Sequence, residues 1–330
     1  MKKTYLTGIK PTGVPHIGNY FGAILPAIEI MKQNKFKCFY FIADYHALTT
    51  IKENKALKEL IFEVACIWLG CGIDPKKVVF YKQSDISEIF EITTIINNIT
   101  PKGLLNRAHA YKAVVDETKE KGLEQDSLVN MGLYMYPVLM TSDIITMNTN
   151  FVPIGEDQKQ HIEIARDIVK AFNKNYGNVF VMPTEIISKN ASLVLGLDGR
   201  KMSKSYNNII PLFESEEKLK KIISQIKTDS TLPNEPKDKN STVFQYYKLF
   251  ATPSQIQDFS NKFDTGISWA QAKNELFNIM NNYLSPMRKK YNFYKENPQL
   301  VDEILIQGAK KARKVAKQTL LLVKQSLGVK

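Results

Sequence analysis

Lys201 and Lys204 stand three residues apart in Lys201-Met202-Ser203-Lys204-Ser205, directly after the turn-forming Asp198-Gly199-Arg200. Two ammonium groups on a glycine-started loop suit closure over the pyrophosphate end of ATP, neutralising charge while the α-phosphorus is attacked. Far upstream lies Pro11-Thr12-Gly13-Val14-Pro15-His16-Ile17-Gly18-Asn19, between an apolar run and a helical pattern. Such a strand-to-helix turn is where an α/β fold exposes backbone N–H groups to phosphate. Gly13 permits close backbone approach, Gly18 lets the helix start meet a ligand, and His16 can donate to phosphate oxygens. Alone, the upstream stretch equally fits a Pro-Gly turn that merely starts a helix, and the lysine loop fits a solvated surface. Together, in this order, they point to a site that holds a triphosphate and transfers one of its phosphoryl groups.

The elements that must position these residues follow from hydrophobic patterning. Residues 5–9, 36–43, 78–82 and 151–154 are short apolar, β-branched or aromatic runs, read as strands. They are continuous and not alternating, as in a parallel sheet covered on both faces. Helical patterns fall at 18–33, 55–69 and from Gly155 to about 172, so the first part reads as a doubly wound α/β domain. Residues 87–98, 103–115 and 127–147 interrupt the alternation with consecutive helices. This insertion is an interface, a substrate wall or plain core packing. Beyond Ser205 the strand patterns disappear and helices remain, opened by Ser215 as N-cap with Glu216 and Glu217 in the first turn. In the last helix Leu305, Ala309, Ala312, Ala316, Leu320 and Val323 form an apolar stripe while Lys310, Lys314, Lys317 and Lys324 line another face. The expected organisation is a domain over 1–205 and a helical bundle over 206–330 with one basic face.

Composition narrows the classes. The net charge is +12, with 25 basic and 21 acidic residues up to Ser205 and 20 and 12 beyond it. An excess concentrated in the helical part suits nucleic-acid phosphates, as it also suits a solvated lysine-rich surface. Cys38, Cys66 and Cys71 make no Cys-x-x-Cys pair and no disulfide framework, and the four histidines are scattered, so no structural metal is expected. The first residues lack the apolar core of a signal peptide and no apolar run reaches membrane-helix length, which makes the cytoplasm the default and excludes a membrane partner.

The two short stretches resemble the paired motifs of class I aminoacyl-tRNA synthetases, whose nucleotide-binding domain is Rossmann-like, of the HUP type. Ala43-Asp44-Tyr45-His46-Ala47-Leu48-Thr49, Tyr136-Pro137-Val138-Leu139-Met140-Thr141-Ser142-Asp143-Ile144 and Val152-Pro153-Ile154-Gly155-Glu156-Asp157-Gln158-Lys159-Gln160-His161 narrow this. They are similar to the bacterial tryptophanyl-tRNA synthetase family, from Tyr5 to about Ser205 and less sharply beyond.

An indole offers one N–H on a large apolar ring, so a tryptophan pocket needs one buried acceptor among apolar walls. The resemblance implies Asp143 as that acceptor, with Leu6, Gly8, His46, Met140, Val152 and Ile154 as walls. A Ser-Asp pair also suits a helix N-cap. Tyr136 and Gln158 would hold the substrate ammonium, although Tyr136 before Pro137 also fits a core position. Around ATP the resemblance places Lys10, Pro11, Thr12, His16, Gly18, Asn19, Gly155, Glu156, Asp157, Leu193, Lys201, Met202, Ser203, Lys204 and Ser205. His16, Asn19, Lys201 and Lys204 would carry the catalysis. Lys10 stands where many relatives have glutamine, and it could add a positive charge near the phosphates.

The resemblance implies ligation of L-tryptophan to tRNA(Trp) through tryptophanyl-adenylate, with ATP as co-substrate and Mg²⁺ on its phosphates. It further implies a homodimer joined through about 86–147, and anticodon recognition by 206–330. The competing readings are a tyrosyl-tRNA synthetase and a non-catalytic RNA-binding paralogue.

Overall fold

The computed structural model describes residues 2–155, 158–187 and 194–329. Strand β1 (Thr4–Ile9) leads into α1 (Ile17–Asn19), a π-helical turn (Tyr20–Ile24) and α2 (Leu25–Gln33), which run on without leaving helical backbone angles. Next come β2 (Lys37–Ile42), the short α3 (Asp44–Ala47), α4 (Asn54–Gly70) and β3 (Val78–Lys82). After the insertion the chain forms β4 (Phe151–Ile154), α10 (Lys159–Tyr176) and β5 (Thr184–Ile187). All strand pairs are parallel and the order is β3-β2-β1-β4-β5. This is the doubly wound Rossmann-like arrangement expected, and its carboxyl-end crevice opens where the order reverses between β1 and β4. Strand β5 escapes the hydrophobic pattern because it is four residues long, half exposed, and paired only with β4.

The insertion holds α5 (Ser87–Asn97), α6 (Lys102–Leu105), α7 (His109–Glu120), α8 (Met131–Tyr134) and α9 (Tyr136–Thr146). Two helices expected to be continuous are broken. Across 103–115 the break comes at Ala108, whose backbone is extended, and the His109 N–H donates to the Gln160 side chain at 2.7 Å. Across 127–147, Asn130 caps α8 by accepting from the Leu133 N–H, and Pro137 opens α9 with no N–H to continue the ladder.

Beyond the lysine loop the described residues form helices, together with an isolated bridge from Pro211 to His16. They are α11 (Glu216–Ser224), capped by Ser215 as expected, then α12 (Thr242–Phe250), α13 (Pro253–Thr265), α14 (Trp269–Glu296) and α15 (Pro298–Ser326). The apolar stripe of α15 is buried, but it packs back on β3 and α5. Gly308 makes this approach possible, since a Cβ there would stand 1.7 Å from the Phe80 carbonyl oxygen. One apolar cluster joins Tyr5, Tyr40 and Trp68 to Phe244, Phe263, Leu276 and Leu305, so the segments on either side of residue 205 share a core. The three cysteines are free and buried within it. No helix among the described residues is long and apolar enough to cross a membrane.

Candidate active site

Two adjoining cavities open at the carboxyl ends of β1 and β4. The smaller, about 150 Å³, is lined by Leu6, Gly8, Lys10, His46, Tyr136, Met140, Asp143, Val152 and Gln158, among others. The larger, about 780 Å³, is lined by Thr12, His16, Gly18, Asn19, Ile154, Gly155, Gln158, Lys201, Met202, Ser203 and Lys204. Thr7, Gly8, Pro153 and Gln158 border both. Gly8 keeps the junction tight, because a Cβ there would meet the Phe41 ring at 2.5 Å.

The structure therefore brings eight of the nine residues expected around an amino acid into the smaller cavity; Ile154 faces the larger one. Lys10, expected beside the phosphates, lines the smaller cavity. Its Nζ donates to Thr49 Oγ1 at 2.8 Å and lies 5.8 Å from the Tyr136 ring centre, and burial lowers its pKa. Pro11 is buried and Ser205 exposed, neither lining these two cavities, with Ser205 Oγ 2.8 Å from Ser203 Oγ. Glu156, Asp157 and Leu193 lie outside the described residues.

In the lining of the smaller cavity, Asp143 is 1 % exposed and lies within α9, so it caps no helix. Its Oδ2 lies 3.0 Å from His46 Nε2, and Gln83 Nε2 donates to both carboxylate oxygens at 2.9 Å. Burial pushes the Asp143 carboxyl up, while the bonds from His46 and Gln83 and the nearby imidazole oppose that rise. The His46 ring packs 4.3 Å from that of Tyr136, completing an aromatic wall. A buried acceptor beside an aromatic wall suits one N–H on a flat apolar ring.

In the larger cavity the two short stretches meet. Gly13 adopts φ +137°, and a Cβ there would stand 2.9 Å from Lys204 Nζ. Asn19 Oδ1 accepts from the His16 N–H at 3.1 Å at the helix start, and His16 Nδ1 is buried without a bonding partner. Burial first, then the Lys204 charge, lowers the His16 pKa to about 4, so the ring is neutral at pH 7. The lysine loop is held from behind by Asn208. Its Oδ1 accepts from the Ser203 N–H at 2.8 Å, while its Nδ2 donates to Asp198 at 2.7 Å and to the Lys201 carbonyl at 3.1 Å. The arrangement offers neutral and cationic donors around a space large enough for a nucleotide, next to a pocket for an aromatic amine or amino acid.

The model of the family "tRNA synthetases class I (W and Y)" matches residues 2–285. A tryptophan-tRNA ligase from Neisseria meningitidis is 45% identical over 331 residues, covering all of this chain and 98% of its own length. One from Bordetella parapertussis is 46% identical over 332 residues, covering all of this chain and 74% of its own. The chain belongs to the tryptophanyl branch of this class I family. The crystal structure of a tryptophanyl-tRNA synthetase from Campylobacter jejuni, complexed with ADP and tryptophan, matches with a TM-score of 0.90 and 41% identity over 98% of this chain and 99% of that one.

For a tryptophanyl-tRNA synthetase the sequence reading passed over two residues. Gln83 is fully buried just after β3, and Asn208 is 3 % exposed behind the lysine loop. The local signal is a single amide among polar neighbours for Gln83 and the second of two consecutive asparagines for Asn208, each of which by itself reads as a turn residue. Gln83 is revealed only by partners from distant segments, and Asn208 by the fold of the lysine loop five to ten residues before it. Among the described residues no three His, Cys, Asp or Glu side chains group where they could hold a metal ion.

Proposed function

We propose that the chain activates L-tryptophan with ATP and transfers it to tRNA(Trp), the two cavities holding the amino acid and the nucleotide respectively. The observation that carries this is their shared border at Gly8 and Gln158, with the buried Asp143 lining one and Lys204, over Gly13, lining the other. An amino acid seated indole-first against Asp143 turns its carboxylate toward that border. In the first step a carboxylate oxygen attacks the α-phosphorus in line, the bond to the bridging oxygen breaks, and pyrophosphate leaves. In the second, a hydroxyl of the terminal tRNA ribose attacks the acyl carbon and AMP departs. No protein nucleophile is needed, so the protein contributes placement and charge.

Within this reading, His16 and Asn19 orient the phosphates, and Lys201 and Lys204 stabilise charge on the departing pyrophosphate. Leu6, Gly8, His46, Met140 and Val152 wall the indole, while Tyr136 and Gln158 face the amino acid's ammonium and Ile154 faces the nucleotide side. Lys10 joins the amino-acid end, where its ammonium already lies. Mg²⁺ arrives as part of the substrate, on the triphosphate.

The helices beyond 205 and the exposed Lys310, Lys311, Lys314 and Lys317 of α15 supply a basic surface for tRNA, with anticodon bases read by stacking and edge contacts. The insertion over about 86–147 forms the contact of a homodimer, its exposed Leu123, Leu128 and Met131 supplying apolar area. The site of action is the cytoplasm, with tRNA. The deciding experiment is tryptophan-dependent exchange of pyrophosphate into ATP, followed by acylation of tRNA(Trp). Exchange supported equally by tyrosine, or RNA binding with no exchange, would overturn the reading.

A further inference from the structure

Gln83 touches neither cavity, yet three elements of the site meet on it. It follows the end of β3, is 0 % exposed, and reaches Asp143 on α9 through Nε2 at 2.9 Å to each carboxylate oxygen. Its Oε1 accepts from the Tyr45 N–H at 3.2 Å and the His46 N–H at 3.4 Å, on α3. The two ends of the amide are not interchangeable. Reversed, the carbonyl oxygen would face a carboxylate and the NH₂ group would face two N–H donors. The network therefore decides the orientation, and it uses every polar atom of the side chain.

We propose that Gln83 is a positioning residue for substrate specificity: it holds Asp143 as an oriented acceptor for the indole N–H and sets His46 beside it. The inference rests on the amino-acid assignment of the smaller cavity. A carboxylate has about four lone-pair sites. His46 takes one on Oδ2 and the shared Gln83 amide spans both oxygens, which leaves a direction on Oδ1 for a ligand. The choice of amide follows from the partners. An amide suits this place because it donates to the carboxylate from one atom and accepts from the two backbone N–H groups at another, whereas the Ser and Thr hydroxyls are shorter and use a single oxygen for both, and Asn is one methylene shorter. Glutamate at 83 would place a second carboxylate against the first. An apolar residue would leave Asp143 with His46 alone, in a setting where burial already favours the protonated form, which donates at one oxygen and no longer presents two acceptors.

The test compares L-tryptophan with benzothienylalanine, in which sulfur stands in place of the indole N–H, in pyrophosphate exchange by Gln83→Met, Gln83→Glu and Asp143→Asn. In Gln83→Met and Gln83→Glu, KM for tryptophan should rise about 10- to 100-fold, the scale of a lost hydrogen bond to a charged group. KM for ATP should stay within about twofold and KM for benzothienylalanine should change little, so the preference for tryptophan collapses. Combining Gln83→Met with Asp143→Asn should cost little more than Asp143→Asn alone. Equal losses for both amino acids, a parallel rise in KM for ATP, or additive effects in the double variant would overturn the proposal. Should Gln83→Met fail to fold, Gln83→Glu, which keeps its length and its acceptor for the α3 N–H groups, decides the same comparison. If the unmodified enzyme itself does not prefer tryptophan to benzothienylalanine, the Asp143 assignment falls first, separately from Gln83.

Discussion

Lys204 lies directly over Gly13, its Nζ at 2.9 Å from the point where a Cβ would stand. The lysine loop and the opening turn are thus one surface, and a side chain at residue 13 meets both this contact and a positive φ of 137°. Gly13→Ala should lower kcat of pyrophosphate exchange at least tenfold while tryptophan binding, followed by calorimetry, is unchanged. Lys204→Met leaves the turn relaxed but removes the charge, and should cost about 10²–10³ in kcat, the scale of one lost transition-state donor. Unaltered kcat in either variant would separate the two motifs.

Asp143 is a buried carboxylate in the lining of the smaller cavity. Asp143→Ala should erase the preference for tryptophan over phenylalanine, which for a pocket built around one hydrogen bond reaches on the order of 10⁴. Exchange rates with the two amino acids measure this, and a retained preference would place the specificity elsewhere.

Lys10 offers a test in which the sequence expectation and the structure differ. Placed among the phosphates, Lys10→Gln would weaken ATP use. Seated by Thr49 and Tyr136, its loss should instead raise KM for tryptophan by about tenfold, the scale of one charged hydrogen bond, with KM for ATP little changed. Both constants come from one exchange assay.

His16 links charge to stability. The unfolded imidazole takes up a proton near its ordinary 6.5, whereas in the folded chain burial and then Lys204 delay this to about 4. The unfolded chain binds more protons in that window, so the contribution is full above 6.5 and is lost as pH falls toward 4. Denaturant unfolding from pH 7 to 4 should show His16→Asn losing less stability on acidification than the unmodified protein. Parallel curves would contradict the burial argument.

Gly308 is the close approach that seats α15 on β3, with the Phe80 carbonyl 1.7 Å from a would-be Cβ. Gly308→Ala should lower the thermal midpoint, at a cost of about 1–3 kcal/mol typical of overpacking. An unchanged midpoint would mean that the helix shifts freely.

Much of the architecture was legible because it is encoded locally. The runs that became β1, β2, β3 and β4 are apolar on both faces, and Ser215 caps α11 through its own neighbours. The helix breaks at Ala108 and between α8 and α9 were less visible. Each depends on how a terminus is satisfied, once by the distant Gln160 side chain.

By itself the sequence determined the parallel α/β class, the phosphate-facing turn, the lysine loop and the family, since motif spacing and hydrophobic period are properties of neighbouring residues. Only the tertiary structure decided that Asp143 sits mid-helix, bonded to His46 and Gln83, that Lys10 faces the amino-acid cavity, and that α15 covers β3. The physical reason is the same in each case. What a buried polar group bonds to, and which face an apolar stripe covers, is settled by partners far away in the chain, and desolvation makes those partners obligatory.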